Sequence, residues 1–181
     1  ATDALIRGGG RLAEFSPETM AALDAVLPPT WSHGNPVDII GDAPPARYPA
    51  ALQPVMTDPG ADAVLLIHAP TAIVSPEAVA RDCVKLMSES KRPTLVCWLG
   101  ADTVRQADAM VSHAGLPTFT TPEEAVTGFL QLVAYHENQQ LLLESPPSVP
   151  EEFEPDTEAA RAVIRAALAE VRAQRLAGGA A

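Results

Sequence analysis

The chain has 181 residues, 47% of them hydrophobic and 19% charged: enough apolar material for one core, and too little charge for a disordered polyelectrolyte. Twelve Lys and Arg against 23 Asp and Glu leave a formal charge of −11. A surface that acidic repels phosphate backbones and anionic membranes, so neither nucleic acid nor membrane is expected as a partner.

Ala1 to Arg7 reads as the latter half of an amphipathic helix closed by Gly8-Gly9-Gly10. With no cap residue or initiator Met before it, the expectation is a fragment whose first strand and loop lie upstream. Arg11 to Phe15 is a short strand candidate. Ser16-Pro17-Glu18 then opens a helix, with a capping hydroxyl, a first-turn proline and an acid at the positive end of the dipole. That helix stops at Pro28-Pro29. Val37 to Ile40 is strand-like. Tyr48, Leu52, Val55 and Met56 have helical spacing despite Pro49 and Pro54. A proline inside a helix costs about 3 kcal/mol, so a kink or a first-turn placement is expected.

Ala63 to Ile67 and Thr94 to Leu99 are continuous apolar runs, as in strands covered on both faces. Ser75-Pro76-Glu77 starts a helix reaching about Ser90, Asp102 caps another that ends at Gly115, and Pro117 to Thr120 is a further strand. Thr121-Pro122-Glu123-Glu124 opens a long helix through Gln140 and toward Glu144. Residues 145–155 hold four prolines and three glutamates and read as an extended linker. Asp156 or Thr157 caps a last helix over 156–181, with Ala160, Val163, Ile164, Ala167, Leu168 and Val171 along one side. The β-loop-α alternation predicts an α/β fold: an open, mostly parallel sheet with helices on both faces, flavodoxin-like, over residues 1–144.

In such sheets ligands gather where strand ends meet helix N-termini. Three segments qualify. Asn35-Pro36-Val37-Asp38, with Gly41 and Asp42, reads either as a substrate-facing loop or as a turn whose acid ties down backbone amides. On the strand reading Asp38 is a buried carboxylate that must have partners. Ala69-Pro70-Thr71 leaves the central strand toward a helix N-terminus able to receive a phosphate or carboxylate. His68 before it is a general base or phosphoacceptor, or, as favoured, an imidazole filling a strand end. In the third segment Gly100 permits close approach, and Trp98 reads as core. His33, His113 and His136 lack metal-ligand spacing, and no metal site is expected. Cys83 and Cys97 are too few for a disulfide framework or zinc cage and read as buried reduced thiols. No Walker loop, dinucleotide fingerprint, nucleophile elbow or Cys-x-x-Cys is present.

Asn35-Pro36-Val37-Asp38 followed by Gly41-Asp42-Ala43 and Tyr48 resembles a pattern of the NDP-forming acyl-CoA synthetases, the ADP-forming acetate–CoA ligases related to succinyl-CoA synthetase. Asp58 to Asp62, Ala69-Pro70-Thr71, Arg92-Pro93, Gly115-Leu116-Pro117 and Pro122 to Ala125 continue it in order to about residue 135. The matching part is similar to the CoA-ligase domain that follows the CoA-binding and phosphohistidine-bearing domains. The resemblance implies that a strand and a glycine-rich loop precede Ala1, and that the final helix leads toward an ATP-grasp domain. It also implies a reaction: acyl-CoA + ADP + phosphate ⇌ carboxylic acid + CoA + ATP, through an acyl phosphate and a phosphohistidine carried by another domain. CoA, ATP/ADP and Mg2+ would serve the full-length enzyme, none of them bound by this fragment alone. The partners implied are the other domains or subunits and a small carboxylic acid, in a cytoplasmic homo-oligomer. Asn35, Asp38, Gly41, Asp42, Ala69, Pro70 and Thr71 would face substrate or phosphate, and no catalytic residue lies in the fragment. The competing reading is a regulatory or interaction module of a synthetase-like protein acetyltransferase.

Overall fold

The computed structural model describes residues 1–143 and 155–178, with side chains through 170. Residues Ala1–Leu141 form one compact unit, and the remainder a second. In the first, α1 (Thr2–Arg7), α2 (Pro17–Val26) and α3 (Arg47–Thr57) precede β1 (Val64–His68). Then come α4 (Pro76–Ser88), β2 (Thr94–Trp98), a 3-10 turn (Ala101–Val104), α5 (Arg105–His113), β3 (Thr118–Phe119) and α6 (Pro122–Leu143). The strands form one parallel sheet in the order β1-β2-β3, with Val64 opposite Thr94, His68 opposite Trp98 and Val96 opposite Thr118.

All five residues of central β2 are buried. Alternation divides them between the faces. Val96 and Trp98 join Leu52, Met56, Val79, Cys83, Met87 and Val111 in one cluster built by α3, α4 and α5. Cys97 points the other way, toward the acids of the first turn of α6 and the amino terminus, whose charges act on it. A second cluster of Leu23, Leu27, Trp31 and Ala51 packs α2 on the outer side of α3. Helices therefore cover both faces, as the alternation requires.

Among the described residues β1 is paired on one side only. Val64 N–H donates to Pro93 O and Leu99 N–H to His68 O, so residues 64, 66 and 68 turn their ladder groups toward β2. Leu65 and Ile67 consequently turn theirs outward, and Ile67 is 41% exposed.

Three sequence expectations are corrected. Arg11 to Phe15 is not a strand, because its backbone serves loops: Ala13 O accepts from Asn35. Val37 to Ile40 is not a strand either. Ile40 has φ 69, and side chains occupy the segment's backbone groups: Ser32 at Pro36 O and Asp38 N, Asp38 at Ile40 N, Arg47 at Ile39 O. Asp38 is therefore exposed rather than embedded in an apolar strand. Asp102 sits within the 3-10 turn, paired with Arg105, and does not cap α5. Pro49 falls in the first turn of α3, while Pro54 lies inside that helix.

The second unit, taken by itself, contains α7 (Thr157–Gly178), whose start is held by Asp156 Oδ1 accepting from Ala159 N–H at 2.9 Å. Val163, Ile164 and Leu168 are exposed along it. Most of the expected linker, 145–154, lies outside the described residues.

Candidate functional site

The first candidate segment is fastened by side chains rather than by a neighbouring strand. The Asn35–Pro36 peptide is cis. Asn35 Nδ2 donates to Ala13 O at 2.9 Å, which consumes one of the amide donors the sequence offered to a ligand. Ser32 Oγ donates to Pro36 O at 2.7 Å and accepts from Asp38 N–H at 2.9 Å. Asp38 Oδ1 accepts from Ile40 N–H at 2.8 Å, a local turn in which the acid ties down a backbone amide. Gly41 and Asp42 form the exposed turn that follows. One guanidinium nitrogen of Arg47, the first residue of α3, donates to both Ile39 O at 3.0 Å and Asp42 Oδ1 at 2.8 Å. The loop is thereby pinned to α3.

The second segment begins at His68, whose side chain fills the end of β1. It is 1% exposed, with Nδ1 hydrogen bonded to Tyr48 Oη at 3.1 Å and Nε2 without a partner. Burial pushes its pKa below the ordinary value, so the imidazole is neutral at pH 7. Its ring meets that of Trp98 edge-on at 5.3 Å. Trp98 is core, 3% exposed, as expected from the sequence. Ala69 and Thr71 are exposed, and Pro70 lies against Gly100, where a Cβ would meet Pro70 Cγ at 2.7 Å. The N-terminus of α4 is capped by Ser75, which accepts from Ala78 N–H at 3.4 Å and donates to the Glu77 carboxylate. That hydrogen bond holds Glu77 below the usual carboxylate range, so a negative charge already stands in the first turn where the sequence suggested an anion.

A groove of about 960 Å³ runs along the open side of β1. It brings Asn35, Asp38, Gly41 and Ala69 to one cavity, together with Leu65, Ile67 and Tyr48; Asp42, Pro70 and Thr71 lie outside its lining. His33 does not contribute a free imidazole: Nδ1 lies 3.1 Å from Asp24 and Nε2 lies 2.9 Å from Pro29 O. Both cysteines are buried thiols, with Cys83 pushed up to about 12 by burial and then by Asp82. Among the described residues there is no group of three His, Cys, Asp or Glu side chains placed to hold a metal ion, and no helix long and apolar enough to cross a membrane.

Sequence reasoning missed two side chains here. Arg47 as the loop's fastening was signalled by an arginine at a helix start five residues after an acidic turn. Tyr48 as the partner of His68 had no signal, because the two are joined only by tertiary packing across 20 residues.

Residues 1–130 match the family model of the Ligase-CoA domain. ADP-forming acetate–CoA ligase I of Archaeoglobus fulgidus is 33% identical over 135 residues, 75% of this chain and 19% of that protein. The ADP-forming 4-hydroxybutyrate–CoA ligase of Nitrosopumilus maritimus is 25% identical over 134 residues, 74% of this chain and again 19% of the relative. Among solved structures, dinucleotide-forming acetyl-coenzyme A synthetase 1 of Ca. Korarchaeum cryptofilum, in complex with phosphate and ADP, superposes with a TM-score of 0.70 at 26% identity, covering 80% of this chain and 32% of that one. The chain thus spans about a fifth of the length of these curated relatives. With a parallel sheet whose strand ends carry the expected loops, and a family match over most of its length, the chain belongs to the Ligase-CoA domain family.

Proposed function

We propose that this chain supplies the CoA-ligase wall of an ADP-forming acyl-CoA synthetase. The reaction interconverts acyl-CoA, ADP and phosphate with a carboxylic acid, CoA and ATP, through an acyl phosphate and a phosphohistidine borne by another domain. The observation that carries the reading is the family match over residues 1–130, running through both loops that meet at the groove. A relative of similar sequence is named for acetate and ADP, and a structural neighbour was solved with ADP and phosphate.

In this reading the fragment is a wall and not the whole catalyst. His68 is buried and both ring nitrogens of exposed His33 are engaged by Asp24 and Pro29 O, which favours a phosphohistidine located elsewhere. Mg2+ and the adenine nucleotide would be held by other domains or subunits of that enzyme. Asn35, Asp38, Gly41 and Ala69 would border a small carboxylic acid or its phosphate. Asp42 would act through Arg47, and Pro70 with Thr71 from the rim. The enzyme would be a cytoplasmic homo-oligomer. The outward edge of β1 would be paired by an added strand from the same enzyme, because unpaired ladder groups are a template for pairing, and the mouth of the groove between loop 35–41 and Ala69 would be left for the acid. The 145–155 linker and final helix would lead toward an ATP-grasp domain.

The test is the intact protein with acetyl-CoA, ADP, phosphate and magnesium. ATP and free CoA thiol should appear in equal amounts. Neither product, with acetyl transfer to a protein lysine instead, would replace this reading with that of a regulatory module.

A further inference from the structure

The two candidate loops share no hydrogen bond among the described residues, yet a continuous set of contacts links one to the other. Arg47 holds Ile39 O and Asp42; the next residue, Tyr48, is hydrogen bonded to His68; and His68 directly precedes Ala69, Pro70 and Thr71. His68 is itself held from several sides: it ends β1, its carbonyl accepts from Leu99 N–H at 2.9 Å, and its ring lies between Tyr48 and Trp98 at centroid distances of 5.5 and 5.3 Å. Among the described residues the Tyr48 hydroxyl is the one hydrogen-bond partner of this buried imidazole. Tyr48 also lines the groove that Asn35, Asp38 and Ala69 share. A hydroxyl that served packing alone would not need to stand where two loops of one cavity are joined.

We propose that Tyr48 is a positioning residue of this site: its hydroxyl, through His68, sets the spacing between loop 35–43 and loop 69–71 and so the fit of the acyl group between them. This rests on the acyl-CoA synthetase reading given above. Removing the hydroxyl leaves both nitrogens of a buried imidazole unpartnered and lets the first turn of α3 shift against β1. Loops that border substrate in the ground state and transition state alike then lose uniform binding, which raises KM and spares kcat.

The experiment compares Tyr48→Phe with wild type in the intact protein, measuring kcat and KM for acetyl-CoA and for acetate, alongside thermal melts. The expected result is a KM raised by about tenfold with kcat within about twofold. His68→Leu should reproduce it, and His68→Asn, which returns a polar atom near the Nδ1 position, should recover most of the loss. Unchanged KM values with a lowered melting temperature would overturn the proposal in favour of plain packing, as would a fall in kcat alone. Should Tyr48→Phe fail to fold, the His68→Leu and His68→Asn pair is judged by the same criterion. A wild-type protein that forms no ATP from acetyl-CoA defeats the enzyme reading itself, and the positioning role falls with it; an active wild type with an unaffected Tyr48→Phe defeats only the latter.

Discussion

Asp58 and Ser16 are 42 residues apart in sequence, yet Asp58 Oδ2 accepts the Ser16 backbone N–H at 2.9 Å. Oδ1 of the same carboxylate accepts Gly60 N–H at 2.8 Å, and the Asp58 carbonyl receives the Arg92 guanidinium. One buried acid between α3 and β1 thus fixes the start of α2, its own turn and the approach to β2. The sequence marked this acid only as part of an Asp-containing turn, since its long-range donors are set by the fold.

Burial pushes the Asp58 pKa up, but hydrogen bonds from Thr19, Ser16 and Gly60 outweigh it and hold the carboxyl below its usual range. A carboxyl depressed in the folded state adds stability above its unfolded pKa and surrenders it as pH falls through the folded value. Asp58→Asn offers one carbonyl oxygen to two converging N–H groups and should cost about 2–3 kcal/mol at pH 7. In urea melts the gap to wild type should begin to narrow below about pH 4, where Asp58 of the unfolded chain takes up a proton while the folded carboxyl still resists one. A gap independent of pH would refute the electrostatic account.

Gly100 and Gly115 separate backbone strain from steric clash. Both have positive φ, 126 and 83, but only at Gly100 would a Cβ meet neighbours, Pro70 Cγ and Thr103 Oγ1 at 2.7 Å each. Gly115→Ala should cost about 1–2 kcal/mol, the strain alone. Gly100→Ala should cost more in thermal melts of the two variants, because Pro70 and Thr103 must also move aside. Equal losses for the two variants would show that Pro70 yields freely.

The architecture was legible where hydrophobic runs and helix caps coincide. Ser16 and Ser75 cap as their Ser-Pro-Glu signals require, and the two continuous runs become β1 and β2. Legibility failed at Val37 to Ile40, where Val37 and Ile39 do pack on the cluster of Leu23, Leu27, Trp31 and Ala51, but where the backbone is claimed by Ser32, Asp38 and Arg47 before any strand can pair with it. Apolar pattern reports burial, not hydrogen-bond partner. The same limit explains the site: the loops were identifiable from Pro36, Gly41 and Pro70, while the Tyr48–His68 link depends on how α3 lies against β1.

Asp38 and Arg47 exchange the importance their sequence context assigned them. Asp38 is exposed with one local hydrogen bond, so Asp38→Ala should cost no more than about 1 kcal/mol. Arg47 is largely covered and serves two acceptors, so Arg47→Met should cost about 1–3 kcal/mol and loosen the 39–42 turn. Limited proteolysis should then cut that turn faster in Arg47→Met than in Asp38→Ala. The reverse order in either measurement would place the loop's anchor at Asp38 after all.

The outer edge of β1 gives the most direct test of the proposed added strand. Residues 64, 66 and 68 bond to β2 whatever else is present, whereas the amides of Leu65 and Ile67 are protected only if another strand lies against them. In the intact protein, hydrogen exchange at Leu65 and Ile67 should be as slow as at Leu66, within about tenfold. Ile67→Pro deletes one outward donor without touching the β1–β2 ladder, and it should weaken protection at Leu65 while leaving Leu66 slow. Fast exchange at both outward amides of the intact wild-type protein would mean that the edge of β1 stays unpaired, and the added strand would have to be abandoned.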